Sequence, residues 1–150
     1  MTKQELAAGY FRQGYNCSQA VLLAFADEVD LTKDRAAMLS SSFGGGMGRL
    51  REVCGAVSAM FMIAGLLDGY TNPTVGAEKN AHYQRIRDLA QAFRDKEGSI
   101  ICRELLKNTP KSKDSVPEAR TEQYYAIRPC ERYVQDAASI VEAYLSERNN

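Results

Sequence analysis

The longest apolar stretch of the chain constrains its fold more than any other feature. It covers residues 53–67 and is interrupted only by Ser58 and two glycines. A membrane-spanning helix needs roughly 20 apolar residues, so this stretch is too short for one. A chain of 150 residues can bury a substantial core, and such a stretch belongs inside it. We therefore predict a buried central helix over about residues 50–67.

Helical periodicity continues on both sides of this stretch. Apolar residues recur at intervals of three and four, and alternation of the kind that strands show does not extend over a useful length. Capping and turn residues divide the chain into successive helices. They include a third helix capped by Thr32, a fifth over about residues 75–96, a short one over 117–124 and a last one after Pro129. The sequence predicts an all-α fold, a single-domain helical bundle that spans residues 1–150.

The charge distribution argues against a bulk electrostatic partner. Lys plus Arg and Asp plus Glu both number 19, and no block of like charge runs through the chain. Neither nucleic-acid binding nor membrane insertion is therefore expected. Residues 1–6 lack the apolar stretch of a signal peptide, which favours the cytoplasm, where thiols are normally reduced. Static structural disulfides are not expected either.

Four cysteines are distributed along the chain, and we predict that each lies near the start of a helix. Asn16 can cap a helix that begins at Cys17, with Gln19 completing a capping box. Ser99 is expected to do the same for a helix with Cys102 in its first turn. The four cysteines are Cys17, Cys54, Cys102 and Cys130.

The other two cysteines follow residues that commonly open a helix. A glycine-rich run, residues 44–48, ends just before the central helix, so Cys54 is expected in its opening turns. Pro129 suits the first position of a helix that carries Cys130. The unpaired N–H groups and partial positive charge of a helix start favour a thiolate over a thiol. We expect at least three sulfurs to converge in one site centred on Cys54, with the pKa of Cys54 or Cys130 lowered.

Arginines lie beside three of the four cysteines in the sequence. A nearby guanidinium group stabilises a thiolate. A single cysteine is more often a small buried apolar residue or an inert surface thiol. Four of them, in a chain that does not need them for stability, indicate chemical reactivity. The arginines in question are Arg49, Arg51, Arg103, Arg128 and Arg132.

The glycine run invites comparison with a phosphate-binding loop. It lacks the Gly-Lys-Ser/Thr ending of that motif, and no strand is predicted before it. We interpret it as a segment whose backbone approaches Cys54 closely and aims N–H groups at a thiolate, a bound cluster or a small anion. A flexible turn is the alternative. The candidate cofactor-binding glycines are Gly45, Gly46, Gly48 and Gly55.

Together these features resemble a known family. The pattern is an isolated Cys17, the glycine run, the sequence C-G-A-V-S-A at residues 54–59 and two further isolated cysteines. Over about residues 10–145 it resembles the C_GCAxxG_C_C family of redox-active proteins, with Ala59 in place of the final glycine of the motif. The resemblance implies an electron-transfer or thiol-redox role and assigns it to the four cysteines, as catalytic residues or as metal ligands.

Two kinds of redox chemistry remain open for these thiols. Either the cysteines hold an iron–sulfur cluster or another metal, or pairs of them exchange disulfides as an oxidoreductase does, with a redox partner protein or a small-molecule thiol. Covalent haem is excluded because the chain has no Cys-x-x-Cys-His motif. The alternative class is a helical domain with structural zinc, or an interaction module with incidental cysteines. His82, the only histidine, is expected to be a packed or surface residue.

Overall fold

The computed structural model describes residues 1–107, 120, 122 and 129–150, and their regular structure is helical. The predicted all-α fold is confirmed: within these residues, β-type pairing is confined to one isolated bridge between Val53 and Ile101. Of the short helix predicted over 117–124, only residues 120 and 122 are among the described residues. The helices are α1 (Lys3–Arg12), α2 (Cys17–Ala24), α3 (Lys33–Ser40), α4 (Gly55–Asp68), α5 (Gly76–Glu97), α6 (Cys102–Leu105) and α7 (Cys130–Arg148), with a 3-10 turn (Ser41–Phe43) and a short helical turn (Gly44–Met47) between α3 and α4.

Side-chain caps begin the first three helices. Thr2 and Thr32 each accept a hydrogen bond from the backbone N–H three residues further on. At α2, Asn16 Oδ1 accepts from the N–H of Gln19 at 2.9 Å, and Gln19 Oε1 accepts from the N–H of Asn16 at 3.1 Å. This is the predicted capping box, and it fixes Cys17 as the first residue of α2.

The short helix α2 lies at the centre of the packing. It contacts α1, α3, α4 and α7, while α4 also packs against α5 and α7. The apolar residues of α2 from Ala20 onward are buried, as are Phe11 of α1 and Phe93 of α5. Among the helices of the described residues, none is both long enough and apolar enough to cross a membrane.

The central helix α4 begins later than the sequence predicts. It starts at Gly55 rather than near residue 50, and Cys54 is its N-cap residue. Arg49 and Arg51 have φ values of +66° and +61°, which a right-handed helix cannot include. Burial is complete over the first half of α4, whereas Leu66 near its end is 48 % exposed. The predicted burial is therefore correct for residues 55–60, Ile63 and Ala64, but not for Leu66.

Backbone hydrogen bonds tie the segment before α4 to the segment before α6. The N–H of Cys54 donates to the carbonyl of Ile100 at 2.8 Å, and the N–H of Cys102 donates to the carbonyl of Glu52 at 2.6 Å. The two segments run antiparallel, with the Val53–Ile101 bridge between these bonds. Two cysteines that are distant in the sequence thus arrive on neighbouring segments.

Candidate active site

A cavity of about 250 Å³ lies where the starts of α2, α4, α6 and α7 meet. All four cysteines line it, so the fold brings together the thiols that the sequence singles out. Cys54 and Cys102 are buried, and Cys17 and Cys130 are partly exposed. The convergence is structural, and the catalytic and metal-binding roles of the four residues stay predictions.

One wall of the cavity is a left-handed turn, residues 44–48, which we call the glycine turn. Gly45, Gly46 and Gly48 have φ values of +67°, +69° and +60°. Glycine adopts this conformation readily, whereas other residues there cost roughly 1–2 kcal/mol each. The turn brings the N–H of Gly45 to the sulfur of Cys17. It also places Gly46 so close to Cys102 that an added Cβ would lie 2.6 Å from the cysteine Cβ.

Cys17 is the acidic thiol of the site. Its pKa falls from the ordinary value of 9.0 to about 6. The largest cause is a hydrogen bond with the Cys54 thiol; burial opposes the change, and the backbone N–H groups of Gly45, Ser18 and Ala56 add to the lowering. At neutral pH Cys17 is therefore mainly a thiolate, the form of cysteine that acts as a nucleophile.

Cys54 has the opposite ionisation. Its hydrogen bond with Cys17, its burial and the negative charge of Cys17 together raise its pKa well above the ordinary value. The predicted lowering of the Cys54 pKa is therefore wrong. As the N-cap residue of α4, Cys54 lies at the edge of that helix start, and Cys17 gathers more of the surrounding N–H donors. The glycine turn, likewise, supplies its N–H group to Cys17 rather than to Cys54.

Gly55 allows the starts of α2 and α4 to approach each other. A Cβ at this position would lie 2.6 Å from the sulfur of Cys17 and 2.7 Å from the carbonyl oxygen of Phe43. Both contacts are too close for a real Cβ, so a side chain here would force the surrounding atoms to move. Gly45, Gly48 and Gly55 line the cavity, whereas Gly46 lies behind it against Cys102. The role of these four glycines toward a cofactor stays a prediction.

The arginines do not pair with the thiols as their sequence positions suggest. Arg51 lies close to Cys54 in the sequence, but its Nη1 donates to the sulfur of Cys102 over 3.6 Å. Arg103 and Arg132 form ion pairs with glutamates instead. Arg128 lies outside the described residues. The left-handed φ of Arg51 turns its side chain toward α6, and sequence proximity does not reveal this.

The last two helix starts also differ from prediction. α6 begins at Cys102, but its N-cap residue is Ile101; Ser99 Oγ accepts from the N–H of Ile101 rather than from a helical N–H group. α7 begins at Cys130, with Pro129 as its N-cap residue rather than its first helical residue. α6 has only four residues, so its dipole contributes little to the ionisation of a thiol.

Three arginines line the cavity, and one of them is not among those that the sequence singles out. They are Arg49, Arg51 and Arg120. Arg120 donates to the carbonyls of Phe11 and Tyr15 at 3.2 and 3.0 Å, and its guanidinium group lies 4.5 Å from the centre of the Phe11 ring. Arg120 lies within the short helix predicted over 117–124, and no signal in the sequence identifies it as a site residue.

Tyr133 forms another wall, although its helical spacing indicates only a core position. Its hydroxyl donates to the carbonyl of Leu105 at 3.0 Å. Burial raises the pKa of Tyr133 to about 12, so the phenol stays neutral at physiological pH. Leu105, Leu106 and Phe11 complete an apolar side of the cavity.

The arrangement of the cysteines bears on metal binding. Within residues 1–107, 120, 122 and 129–150, no three side chains of cysteine, histidine, aspartate or glutamate lie close enough together to hold one metal ion. The described donors, as arranged, do not fit a tetrahedral zinc site or a cluster with four cysteine ligands. The predicted iron–sulfur or zinc site is not confirmed.

His82 lies away from this site. It is 8 % exposed, packs edge-to-face against Tyr70 with ring centroids 6.3 Å apart, and is not among the described residues that line the cavity. Its Nδ1 has no hydrogen-bond partner among the described residues. His82 is a packed residue, as expected for a lone histidine beside an apolar helix face.

Comparison with known proteins supports a redox class. A family model with the description "Putative redox-active protein (C_GCAxxG_C_C)" matches residues 15–144, well over half of the chain. The chain therefore belongs to this family. No curated protein and no solved structure matches it. The family match defines a redox-active class, and the mechanism has to be argued from the site.

Proposed function

We propose that this protein exchanges disulfides, with Cys17 as the nucleophile and Cys54 as the resolving thiol. The observation that carries the proposal is the hydrogen bond between the two thiols, which lowers the pKa of one and raises that of the other. Thiols in hydrogen-bond contact need to approach by only about 2 Å to reach the length of an S–S bond. Both residues line the cavity, so a substrate can reach them.

The exchange has two steps. The Cys17 thiolate attacks one sulfur of a substrate disulfide, which forms a mixed disulfide and releases the first substrate thiolate, which takes a proton from water. Cys54 then attacks the sulfur of Cys17 and gives up its proton, which passes through water to the departing second substrate thiolate. The substrate disulfide is reduced to two thiols, and the Cys17–Cys54 dithiol is oxidised to a disulfide. The reverse sequence oxidises a substrate dithiol.

The opposite ionisation of the two thiols fixes their order of reaction. At neutral pH Cys17 is mainly a thiolate and Cys54 is a neutral, buried thiol, so Cys17 reacts first. In the reverse direction the last step releases Cys17 from the mixed disulfide. The low pKa of Cys17 makes it a good leaving group in that step. Stabilising the Cys17 thiolate also stabilises the reduced form, so the disulfide is expected to be comparatively oxidising.

The pH dependence of Cys17 alkylation tests this proposal. We expect the rate to rise with pH and to level off, with a midpoint near the pKa of about 6. At a pH near that midpoint the larger thiolate fraction outweighs the lower intrinsic nucleophilicity, so Cys17 should react about twentyfold faster than a simple thiol. Peptide mass spectrometry identifies the alkylated cysteine. A midpoint for Cys17 near that of a simple thiol would contradict the proposal.

An iron–sulfur electron-transfer protein is the second candidate. One observation favours it: four cysteines, a common ligand set for clusters, line the same cavity. Holding a cluster would require the cysteines to move closer together than they are in this structure. Anaerobic purification with metal analysis and an absorption spectrum decides between the candidates, because stoichiometric iron would support the cluster.

A further inference from the structure

We infer that a third cavity thiol, Cys102, takes over the disulfide that Cys17 and Cys54 form, so that the oxidised protein carries a Cys54–Cys102 disulfide. This inference rests on the proposed disulfide exchange and adds a step that follows it. Three observations support it: the position of Cys102 beside Cys54, the contact of Cys102 with Arg51, and the stabilisation of Cys17 as the thiolate that leaves.

The first observation is the pairing of the two segments that carry Cys54 and Cys102. The bridge between Val53 and Ile101 is antiparallel, and successive side chains on paired segments point to opposite faces. The residues next to the bridge therefore share the face opposite to Val53 and Ile101, and Cys54 and Cys102 lie diagonally on it. Both cysteines are buried and line the same cavity. Cys102 is thus a neighbour of a sulfur that the exchange oxidises.

The distance between the two side chains can be closed by a small movement. Diagonal neighbours on paired strands have Cβ atoms about 7 Å apart, whereas those of a disulfide are about 4 Å apart. Cys102 therefore has to move by about 3 Å. Among the described residues, one isolated bridge joins the two segments, and α6, which begins at Cys102, has only four residues. These elements constrain Cys102 less than a long packed helix would.

The arrangement of the three sulfurs sets the order of the steps. Cys17 and Cys54 are in hydrogen-bond contact. Within the described part of the chain, no three side chains of cysteine, histidine, aspartate or glutamate lie close enough together to hold one metal ion, so Cys102 does not form a compact group with both of them. Cys17 and Cys54 therefore join first, and Cys102 reacts with Cys54 afterwards.

The second observation is a hydrogen-bond donor in contact with the Cys102 sulfur. Nη1 of Arg51 donates to this sulfur over 3.6 Å. A guanidinium N–H in contact with a sulfur favours the thiolate, which is the form of cysteine that attacks a disulfide. The contact acts on Cys102 directly, whatever the overall charge of the cavity is.

The transfer exchanges one S–S bond for another. The Cys102 thiolate, formed as the thiol proton passes to water, attacks the sulfur of Cys54 in the Cys17–Cys54 disulfide. The new bond joins Cys102 to Cys54, the old bond breaks, and its electron pair stays on Cys17 as a thiolate. The protein gains and loses no electrons in this step.

The third observation concerns the leaving group. Oxidation removes the thiol proton of Cys54 and with it the hydrogen bond to Cys17, but three backbone N–H groups also donate to the Cys17 sulfur. They belong to Gly45, Ser18 and Ala56. Cys17 therefore leaves as a stabilised thiolate, which favours the transfer. The disulfide then joins two buried residues, and the thiolate returns to the partly exposed Cys17.

A time course with hydroxyethyl disulfide tests the inference. The reduced protein receives one equivalent, samples are quenched with acid at successive times, the free thiols are alkylated, and peptide mass spectrometry identifies the linked residues. We expect the Cys17–Cys54 disulfide in the earliest samples and the Cys54–Cys102 disulfide as the main product at equilibrium. The protein should carry one disulfide per molecule throughout, and Cys17 should become available to alkylation again.

Three variants locate the transfer. Cys102→Ser should keep the disulfide at Cys17 and Cys54 at all times, because a hydroxyl group cannot accept it. Arg51→Gln should slow the transfer about threefold, since a smaller fraction of Cys102 is ionised. Arg87→Gln removes the same charge from the exposed face of α5 and should leave the transfer rate unchanged. The time course of the unmodified protein is an independent test if a variant does not fold.

The outcomes separate this inference from the proposed function. A Cys17–Cys54 disulfide that persists to equilibrium, with Cys102 alkylated, would overturn the inference and leave disulfide exchange intact. A transfer to Cys130 instead of Cys102 would do the same. Equal transfer rates in Arg51→Gln and Arg87→Gln would contradict the attack by a Cys102 thiolate that Arg51 stabilises. If neither the unmodified protein nor Cys102→Ser forms a Cys17–Cys54 disulfide, the proposed function itself fails.

Discussion

Two pairs of neighbouring acids in this protein are coupled in the same way but lie in different surroundings. Cys17 and Cys54 face the cavity, whereas Glu97 and Asp136 join α5 to α7 near the surface. In each pair the pKa of one group falls and that of the other rises. For Asp136, burial, the hydrogen bond with Glu97 and the charge of Glu97 raise the pKa to about 6.

The comparison shows that a shifted pKa does not by itself identify a reactive site. Burial acts to raise the pKa of Glu97, but Arg132, which is 61 % exposed, pairs with it at 2.8 Å and the net effect is a lowered pKa. The Glu97–Asp136 pair links α5 to α7 and is not among the described residues that line the cavity. In the cavity, a thiol partner and backbone N–H groups stabilise the charge of the Cys17 thiolate, which is the nucleophile of the proposed exchange. The two pairs differ in their chemical groups, thiols against carboxyl groups, and in whether they face the cavity.

The largest expected effect comes from Cys54→Ser. This change should abolish the resolving step, because the hydroxyl group of serine cannot form an S–S bond with Cys17. The serine still donates a hydrogen bond to Cys17, so the Cys17 pKa should stay low. Exchange should therefore stop at the mixed disulfide, which intact-protein mass spectrometry detects as the added mass of half of the substrate.

Cys54→Ala provides the matched control for ionisation. Alanine removes the hydrogen bond that is the largest cause of the lowered Cys17 pKa. The midpoint of Cys17 alkylation should therefore rise by about one pH unit or more. If both variants keep the midpoint of the parent protein, the thiol pair is not the source of the Cys17 ionisation, and its contrast with the carboxyl pair fails.

A smaller effect is expected from Gly55→Ala, which tests the close approach of the two helix starts. The added Cβ would meet Cys17 and the Phe43 carbonyl below van der Waals distance, so the free energy of unfolding should fall by about 2 kcal/mol. Gly65→Ala, in the same helix with no atom within 4 Å of the added Cβ, should instead stabilise by about 0.5–1 kcal/mol. Urea unfolding measures both, and equal effects would contradict the steric account.

The smallest effect concerns the carboxyl pair. The pKa of Asp136 in the folded protein, about 6, lies above its ordinary value of 3.8, so the contribution of this group to stability falls as the pH rises between these values. Above that range Asp136 is ionised beside Glu97, with Arg132 and Lys96 offsetting part of the repulsion. Asp136→Asn should therefore raise the free energy of unfolding by about 1 kcal/mol at slightly alkaline pH and change it little near the lower end of the range.

Asp88→Asn on the exposed face of α5 is the control for that variant. It removes one carboxylate without affecting the Glu97–Asp136 contact, so its effect on stability should be small at both pH values. Unfolding in urea at each pH provides the measurement. A gain for Asp136→Asn that does not depend on pH would show that the two carboxyl groups do not share a proton.

Much of the fold could be predicted from the sequence because local signals determine helix starts. The capping box of Asn16 and Gln19, the cap at Thr32 and the periodicity of α7 all correspond to observed elements. The four cysteines could be identified as a set because they recur beside helix starts. The feature that they share, a position beside a helix start, can be recognised from the local sequence.

Which of the four thiols ionises most readily could not be predicted, because ionisation depends on contacts between distant segments. The thiolate is Cys17 rather than Cys54, since Gly45 and Cys54 both supply hydrogen bonds to it from elsewhere in the chain. α4 starts later than predicted because residues with a left-handed backbone precede it, and nothing in the sequence indicates that conformation. Arg120 lines the cavity although the sequence around it, residues 108–128, has no cysteine and no glycine to suggest a site.

The most direct test of the central claim is a map of the first disulfide that forms. The reduced protein is treated with one equivalent of hydroxyethyl disulfide, the remaining thiols are alkylated, and peptide mass spectrometry identifies the linked residues. We predict a Cys17–Cys54 disulfide, with Cys102 and Cys130 both alkylated. A first disulfide that joins Cys102 to Cys130, or either of them to Cys17, would contradict it.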